Sequence, residues 1–337
     1  MLKPKLFAPA FSRDIDFGEP KKSFDVGTQR LLASLVAIGL TTTGWQATAQ
    51  STSEPAKPAF TNASAYVARG MANYEKGRSF DKIPDPSNQW EKLINAAIAD
   101  FTEAIRLSPK DATIYVKRGN AWQDLAECDA AITNYNQAIR LDPNNAEAYN
   151  GRGRANCRQA DILGNRDAAE LKCYKSAVAD FTKAIRLNPK EKSFYLNRAD
   201  ARCSTHDYGG MVADLTSVTR LDPTNLEAYC QRALAKWLNG DNDGSIADYS
   251  EVIRLDPNHA SAYYQRGTKR MAKGDWNGVI ADFTEYIRLE PDKADGYLNR
   301  AAAREHKGDI AGGAADRAEV ARRGLKSVLQ SVTITDP

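Results

Sequence analysis

Two stretches decide the fold: residues 229–257, YCQRALAKWLNGDNDGSIADYSEVIRLDP, and residues 263–291, YYQRGTKRMAKGDWNGVIADFTEYIRLEP. At an offset of 34 residues they share a leading Tyr, an Arg three residues on and a small residue one further. In their second halves they share Ile-Ala-Asp-aromatic and a closing Ile-Arg-Leu-x-Pro. Apolar residues recur three and four apart in both halves, the spacing of one helical face. The closing proline cannot continue a helix and so starts a connection. A period of 34 with two helices per unit predicts an all-α helical solenoid.

The same marks run outward in both directions. Leu-x-Pro ends at Pro109, Pro143, Pro189, Pro223, Pro257 and Pro291, with four of the five spacings equal to 34 and one of 46. The leading tyrosines are Tyr66, Tyr115, Tyr149, Tyr195, Tyr229, Tyr263 and Tyr297, each followed four residues later by Gly or Ala, where two helices approach closely. About seven units therefore span residues 63–323. The first and third are longer than the rest, which places insertions near 78–92 and 160–171, between the two helices of a unit. The first, with Ile83-Pro84-Asp85-Pro86, reads as a loop. In the last unit Arg317 and Arg323 stand at formerly apolar positions, as a polar end cap requires. Residues 324–337 form a C-terminal tail.

This pattern resembles the tetratricopeptide repeat family. The resemblance implies antiparallel helix pairs stacked in a right-handed superhelix, with the first helices lining a concave face. A single unit cannot bury its own apolar face, so the array is the stable object.

Two charge rows accompany the repeat. Arg69, Arg118, Arg152, Arg198, Arg232, Arg266 and Arg300 each follow their Tyr by three residues. The second halves carry Asp100, Asp180, Asp214, Asp248, Asp282 and Asp316, with Asn134 in the second unit. A base recurring with an acid in every unit predicts a structural ion pair between the two helices, with bidentate geometry. A further row, from Arg106 through Arg254 to Arg322, falls in the last turn of each second helix, where positive charge complements the helix dipole.

The family reads its ligands from the first helix. Its groove positions, two before the Tyr and one, five, eight and nine after, give Cys230, Leu234, Trp237, Leu238, Tyr264, Met271 and Leu298 in the later units. These form an apolar patch, the mark of a partner site. The alternative is that Trp237 and Met271 close the core between units. The first three units place polar residues there, among them Asn120, Gln123, Asp124, Glu147 and Arg154. Two residues after the Tyr come Asn197, Gln231, Gln265 and Asn299. They resemble in part the asparagine ladder of the O-linked N-acetylglucosamine transferase superhelix, in which amides hold a peptide backbone. The lysines and asparagines of the family's chaperone-tail carboxylate clamp are not at their set positions, Asn120 apart.

The N-terminal 49 residues read as a signal peptide: Arg30, the apolar run 31–40 and Ala47-Thr48-Ala49 predict cleavage before Gln50. An uncleaved inner-membrane anchor over 31–49 is the alternative, with membrane contact only in that case. Residues 50–62, STSEPAKPAFTNA, read as a flexible linker. Export implies a periplasmic or secreted protein. Of the five cysteines, Cys128, Cys157, Cys173 and Cys203 are expected along the insertion edge, with Cys157–Cys173 the best disulfide pair, and Cys230 is expected to face the groove. The alternative is five small buried apolar residues.

A charged fraction of 26% and a net charge of +3 lack the basic face that nucleic-acid binding requires. His206, His259 and His306 lie apart with no shared nucleophile, and no phosphate loop or short-spaced metal pair exists. The expectation is a non-catalytic scaffold without cofactor, metal or small-molecule substrate, binding a protein or peptide segment in the groove. Two alternatives stay open: a structural subunit of an envelope assembly using the convex face and edge loops, or a regulatory subunit of a glycosyl-transfer system.

Overall fold

Every sequence unit folds as two helices. The structure, a computed structural model, describes residues 61–80, 88–164 and 168–325. In these residues fourteen helices follow one another: α1 (Ala63–Ser79), α2 (Gln89–Leu107), α3 (Ala112–Asp124), α4 (Cys128–Leu141), α5 (Ala146–Leu163), α6 (Ala168–Leu187), α7 (Lys192–Ser204), α8 (Tyr208–Leu221), α9 (Leu226–Leu238), α10 (Asn242–Leu255), α11 (Ala260–Lys273), α12 (Trp276–Leu289), α13 (Ala294–His306) and α14 (Ile310–Arg323). Each packs chiefly on the helix before it and the helix after it, so the core is a continuous strip. The signal segment, the linker up to residue 60 and most of the tail lie outside the described residues; Asn62, at the end of the expected linker, caps α1.

Helix ends follow a local code. First helices begin three residues after the closing proline, and the residue before them caps them: Asn145 accepts from the Ala148 amide at 2.9 Å and Asn225 from the Ala228 amide at 2.9 Å. His259 takes this role with Nδ1, accepting from the Ala262 amide at 3.2 Å. Second helices α8, α10, α12 and α14 begin on Asp207, Asp241, Asp275 and Asp309, each accepting from a glycine amide three residues on. Capping carboxylates also favour the positive end of the helix.

The strip is filled by one large residue per unit. Phe101, Tyr135, Phe181, Leu215, Tyr249 and Phe283 are buried, each against small residues of the flanking first helices. The insertions largely lengthen helices. Helices α5 and α6 have 18 and 20 residues against 13 and 14 in α7 and α8, so most of 160–171 is helical. In the first unit Arg78 and Ser79 still belong to α1, and α2 begins at Gln89; the Ile83–Pro86 stretch lies outside the described residues.

In the five units without an insertion, the turn between the helices has a left-handed residue eleven positions after the Tyr. Gly240, Gly274 and Gly308 supply it with φ of 87°, 75° and 84°. The second unit has Ala126 there at φ 62° and the fourth has His206 at φ 60°. A side chain in that region costs about 1–2 kcal/mol. Ala126→Gly is therefore expected to stabilise the array by about 1 kcal/mol after the added freedom of the unfolded chain is subtracted. Urea denaturation measures this, and an unchanged or lower midpoint would contradict the strain argument.

Candidate functional site

The site is framed by a staple repeated along the array. Arg69, Arg152, Arg198, Arg232, Arg266 and Arg300 each meet the aspartate of their own second helix, with closest contacts of 2.5 to 2.7 Å. The six aspartates are 1 to 6% exposed. Each guanidinium also lies over the Tyr of its own helix, 5.2 to 6.0 Å from the ring centroid. After the first unit, its remaining nitrogen reaches back to the second helix of the preceding unit: Arg198 Nη1 donates to Thr182 at 2.9 Å, Arg232 to Thr219 at 2.7 Å and Arg266 to Ser250 at 3.0 Å. One side chain thus ties three helices.

A second partner escaped the sequence analysis. Seven residues after the Tyr, Arg202, Lys236, Arg270 and Arg304 bind the other oxygen of the same aspartates at 2.8 to 2.9 Å. In the first and third units Asn73 and Asn156 stand there instead, donating at 3.2 and 3.5 Å. The second unit has Trp122 at this position and Asn134 in place of the acid, and Arg118 Nε donates to Asn134 Oδ1 at 2.8 Å. Burial without a carboxylate pulls the Arg118 guanidinium below its ordinary value, whereas the bond to Asp180 holds Arg152 above it. The last-turn arginines are surface groups; Arg106, Arg254, Arg288 and Arg322 pair with a glutamate three residues earlier. Such exposed pairs contribute little.

The third unit gives the cleanest test of the staple, because its aspartate meets a single cation. Arg152→Met alone strands Asp180 and is expected to cost about 3–5 kcal/mol. Arg152→Met with Asp180→Leu is expected to cost distinctly less, as judged by chemical denaturation. Equal or greater loss in the double variant would show that the pair carries more than charge compensation.

The expected groove residues divide. On α9, Leu234, Trp237 and Leu238 are half-buried and lie outside the buried apolar clusters of the described residues. Leu298 on α13 is half-buried as well. Tyr264 and Met271 instead pack on Val279, Phe283 and Ala303; the Tyr264 ring stands edge-on to Phe283 at 5.6 Å. They close the contact between the sixth and seventh units. Cys230 packs with Ala233, Tyr249, Val252 and Ala262 and is 8% exposed, so it faces the neighbouring unit and not an open groove. Its thiol is pushed up to about 12 by burial.

The amides are mostly engaged within the array. Asn197 donates to Asn150 Oδ1 at 2.8 Å, Gln231 to Glu227 Oε1 at 2.8 Å and Asn299 to the Asp295 carbonyl at 2.8 Å. The Gln231 Oε1 oxygen is buried without a partner. Gln265 is half-buried on α11. In the earlier units the face is polar: the Tyr135 hydroxyl donates to Asn120 Oδ1 at 2.7 Å, and Arg78 approaches Asp124 at 3.6 Å. Farther on, a desolvated position and the Glu227 charge push the Asp200 carboxyl up to about 6.

Cys157 and Cys173 share a cluster with Tyr174 and Ala177, but as free thiols, with Cys173 Sγ directed at Gln159 Oε1 at 3.9 Å. The histidines hold structural places: His206 meets Tyr208 edge-on, His259 caps α11 and His306 stacks on Trp276 at 4.2 Å. Among the described residues no group of His, Cys, Asp or Glu has the arrangement of metal ligands, and no helix is long and apolar enough to cross a membrane.

One residue breaks the pattern of the face. Lys269 on α11 is buried, and its amine lies 3.8 Å from the centroid of the Trp237 ring. Burial lowers the amine to about 8. In the unfolded chain it titrates near its ordinary value, so the unfolded state binds more protons between about pH 8 and 10.5 and stability from this group rises across that window. Lys269→Met is therefore expected to be more stable than the wild type at pH 7, with the gap closing as pH rises through 8 towards 10. Paired urea melts over that range test this, and a gap independent of pH would refute the buried-ammonium account.

A family model described as TPR repeat matches residues 127–159 and 238–268. No curated protein matches the chain. Among solved structures, the chain is similar to YrrB, described as a TPR protein with an unusual peptide-binding site, at 23% identity and a TM-score of 0.48, over 57% of this chain and 93% of that one. It is also similar to a tetratricopeptide repeat protein from Parabacteroides merdae, at 15% identity and a TM-score of 0.45, over 76% of this chain and 94% of that one.

Proposed function

Because the chain is a tetratricopeptide-repeat protein, we propose that it is an exported, non-catalytic scaffold whose groove takes a peptide or protein segment. The observation that carries this reading is the stripe Gln231, Leu234, Trp237 and Leu238 along α9. Leu234 and Leu238 lie outside the packed clusters, and apolar surface of this kind in a concavity is what a partner covers. The signal-like N-terminus supports export to a periplasmic or extracellular setting. The structural places of the three histidines support a non-catalytic role.

A second reading has its own observation. The lengthened ends of α5 and α6 expose Ile162 at 64% and Leu171 at 40%. Both belong to the third-unit insertion, which fits an assembly subunit that docks through its edge. The glycosyl-transfer reading loses support, because three of the four amides that suggested it bond within the array.

Cross-linked capture from the exported fraction separates the two. Trp237→Ala is expected to lower partner yield at least fivefold, with Ile162→Ser close to wild type, and the captured chain is expected to begin at Gln50. The opposite pattern supports edge docking, and a full-length chain confined to the membrane supports the uncleaved anchor.

A further inference from the structure

The groove positions of the last four units carry charge of one sign. Asp200, Glu227, Asp295 and Glu305 stand there with no Lys or Arg, although the chain has a net charge of +3. In the third unit the Arg154 charge tempers Glu147, and in the seventh Arg317 pairs with Glu305 at 2.8 Å. Asp200 and Glu227 form no ion pair among the described residues; Glu227 accepts a hydrogen bond from the neutral Gln231 amide at 2.8 Å. The cations beside them on α7 and α9 are committed to the staples: Arg198 and Arg202 to Asp214, Arg232 and Lys236 to Asp248. Both acids are exposed, so a partner can reach them. They belong to adjacent units and meet on one face: the Glu227 charge on α9 acts on Asp200, and the Asp200 charge acts on Cys157 of α5. Farther along α9 stand Leu234 and Leu238, outside the packed clusters.

We propose that Asp200 and Glu227 together receive the side chain of an Arg or Lys carried by the segment in the groove, while Leu234 and Leu238 cover an apolar side chain of the same segment. The proposal rests on the groove reading above and adds the sign of the ligand. Two carboxylates that repel each other both gain from one cation placed between them, through charge-assisted hydrogen bonds. Neighbouring helices withhold part of the water that screens such contacts, as the raised Asp200 carboxyl records. A metal ion is a poorer occupant, because it needs more ligands than two carboxylates and no larger group of that kind is present among the described residues. The spacing of the ligand follows from the helix. Glu227 and Leu234 are seven residues apart, which is about 10 Å along α9 at ~1.5 Å per residue. An extended chain covers that distance in about three residues at ~3.3 Å each.

The test immobilises the full chain and offers two pools of N-acetylated, C-amidated octapeptides. Both pools are degenerate in uncharged residues, one with Arg or Lys fixed at the third position and one with Gln there. Retained peptides are quantified by mass spectrometry for the wild type and each variant, with the helical melt of each variant checked. The acids are exposed and lie outside the staples, so their substitution leaves the fold intact. The expected result is at least tenfold higher retention of the basic pool, with Leu, Ile or Phe enriched at the sixth position. Asp200→Asn with Glu227→Gln cuts that excess to less than about twofold, whereas Asp200→Glu keeps most of it. Leu234→Ser with Leu238→Ser lowers retention of both pools. A basic pool retained no better than the Gln pool, or an excess that survives loss of both acids, overturns the proposal. Equal retention of the two pools that Leu234→Ser with Leu238→Ser abolishes leaves the groove reading standing without the acids. No retention in either pool overturns both, so the failures are distinct.

Discussion

The array depends on a guanidinium that serves three helices at once. In each unit after the first, the arginine three residues after the Tyr grips its own second helix and touches the second helix of the preceding unit. Hydrophobic packing alone lets neighbouring units slide, because alanine rows and one large ring per unit present a nearly uniform surface. The fork geometry of a bidentate pair does not tolerate sliding. The staple therefore sets the register in which each buried ring meets its small residues. It also explains why the acid is so deeply buried: the charge is covered from both sides by first-helix side chains seven and three residues after the Tyr.

Such pairs carry a desolvation penalty, so they are better understood as fixing geometry than as adding stability. The second unit shows the minimum requirement. There the acid is Asn134, the second cation is replaced by Trp122, and Arg118 still bridges to Thr102 at 3.0 Å. The two changes occur together. An asparagine offers one acceptor oxygen, which Arg118 occupies, and a second cation beside it would be stranded.

Much of this was legible in the sequence because repetition filters out what is local. A period of 34 with fixed Tyr, Arg, aromatic and Pro positions specifies two helices, their ends and the base that meets the acid. The row seven residues after the Tyr was not legible, since Asn, Trp, Arg and Lys alternate there and only the shared aspartate reveals the common task. The amides read as a ladder because they share a position, yet their partners come from neighbours that differ: Asn150 for Asn197, Glu227 for Gln231 and a backbone carbonyl for Asn299. Tyr264 and Met271 fail as groove residues for a steric reason. The sixth unit lets them fold onto Phe283, and Tyr286 completes the contact at 5.2 Å from the Tyr264 ring.

The departures from repetition therefore carry the functional information. A residue that repeats is explained by packing, because packing repeats. Lys269 in an alanine row does not repeat, and neither does Trp237, the ring it covers. The fold tolerates Ala at that position in five other units where it is buried. A lysine there loses hydration of its amine, and the face of Trp237 is the contact that offsets part of that cost. The staples repeat and so fix the frame; Lys269 over the Trp237 ring is a departure that packing alone does not call for.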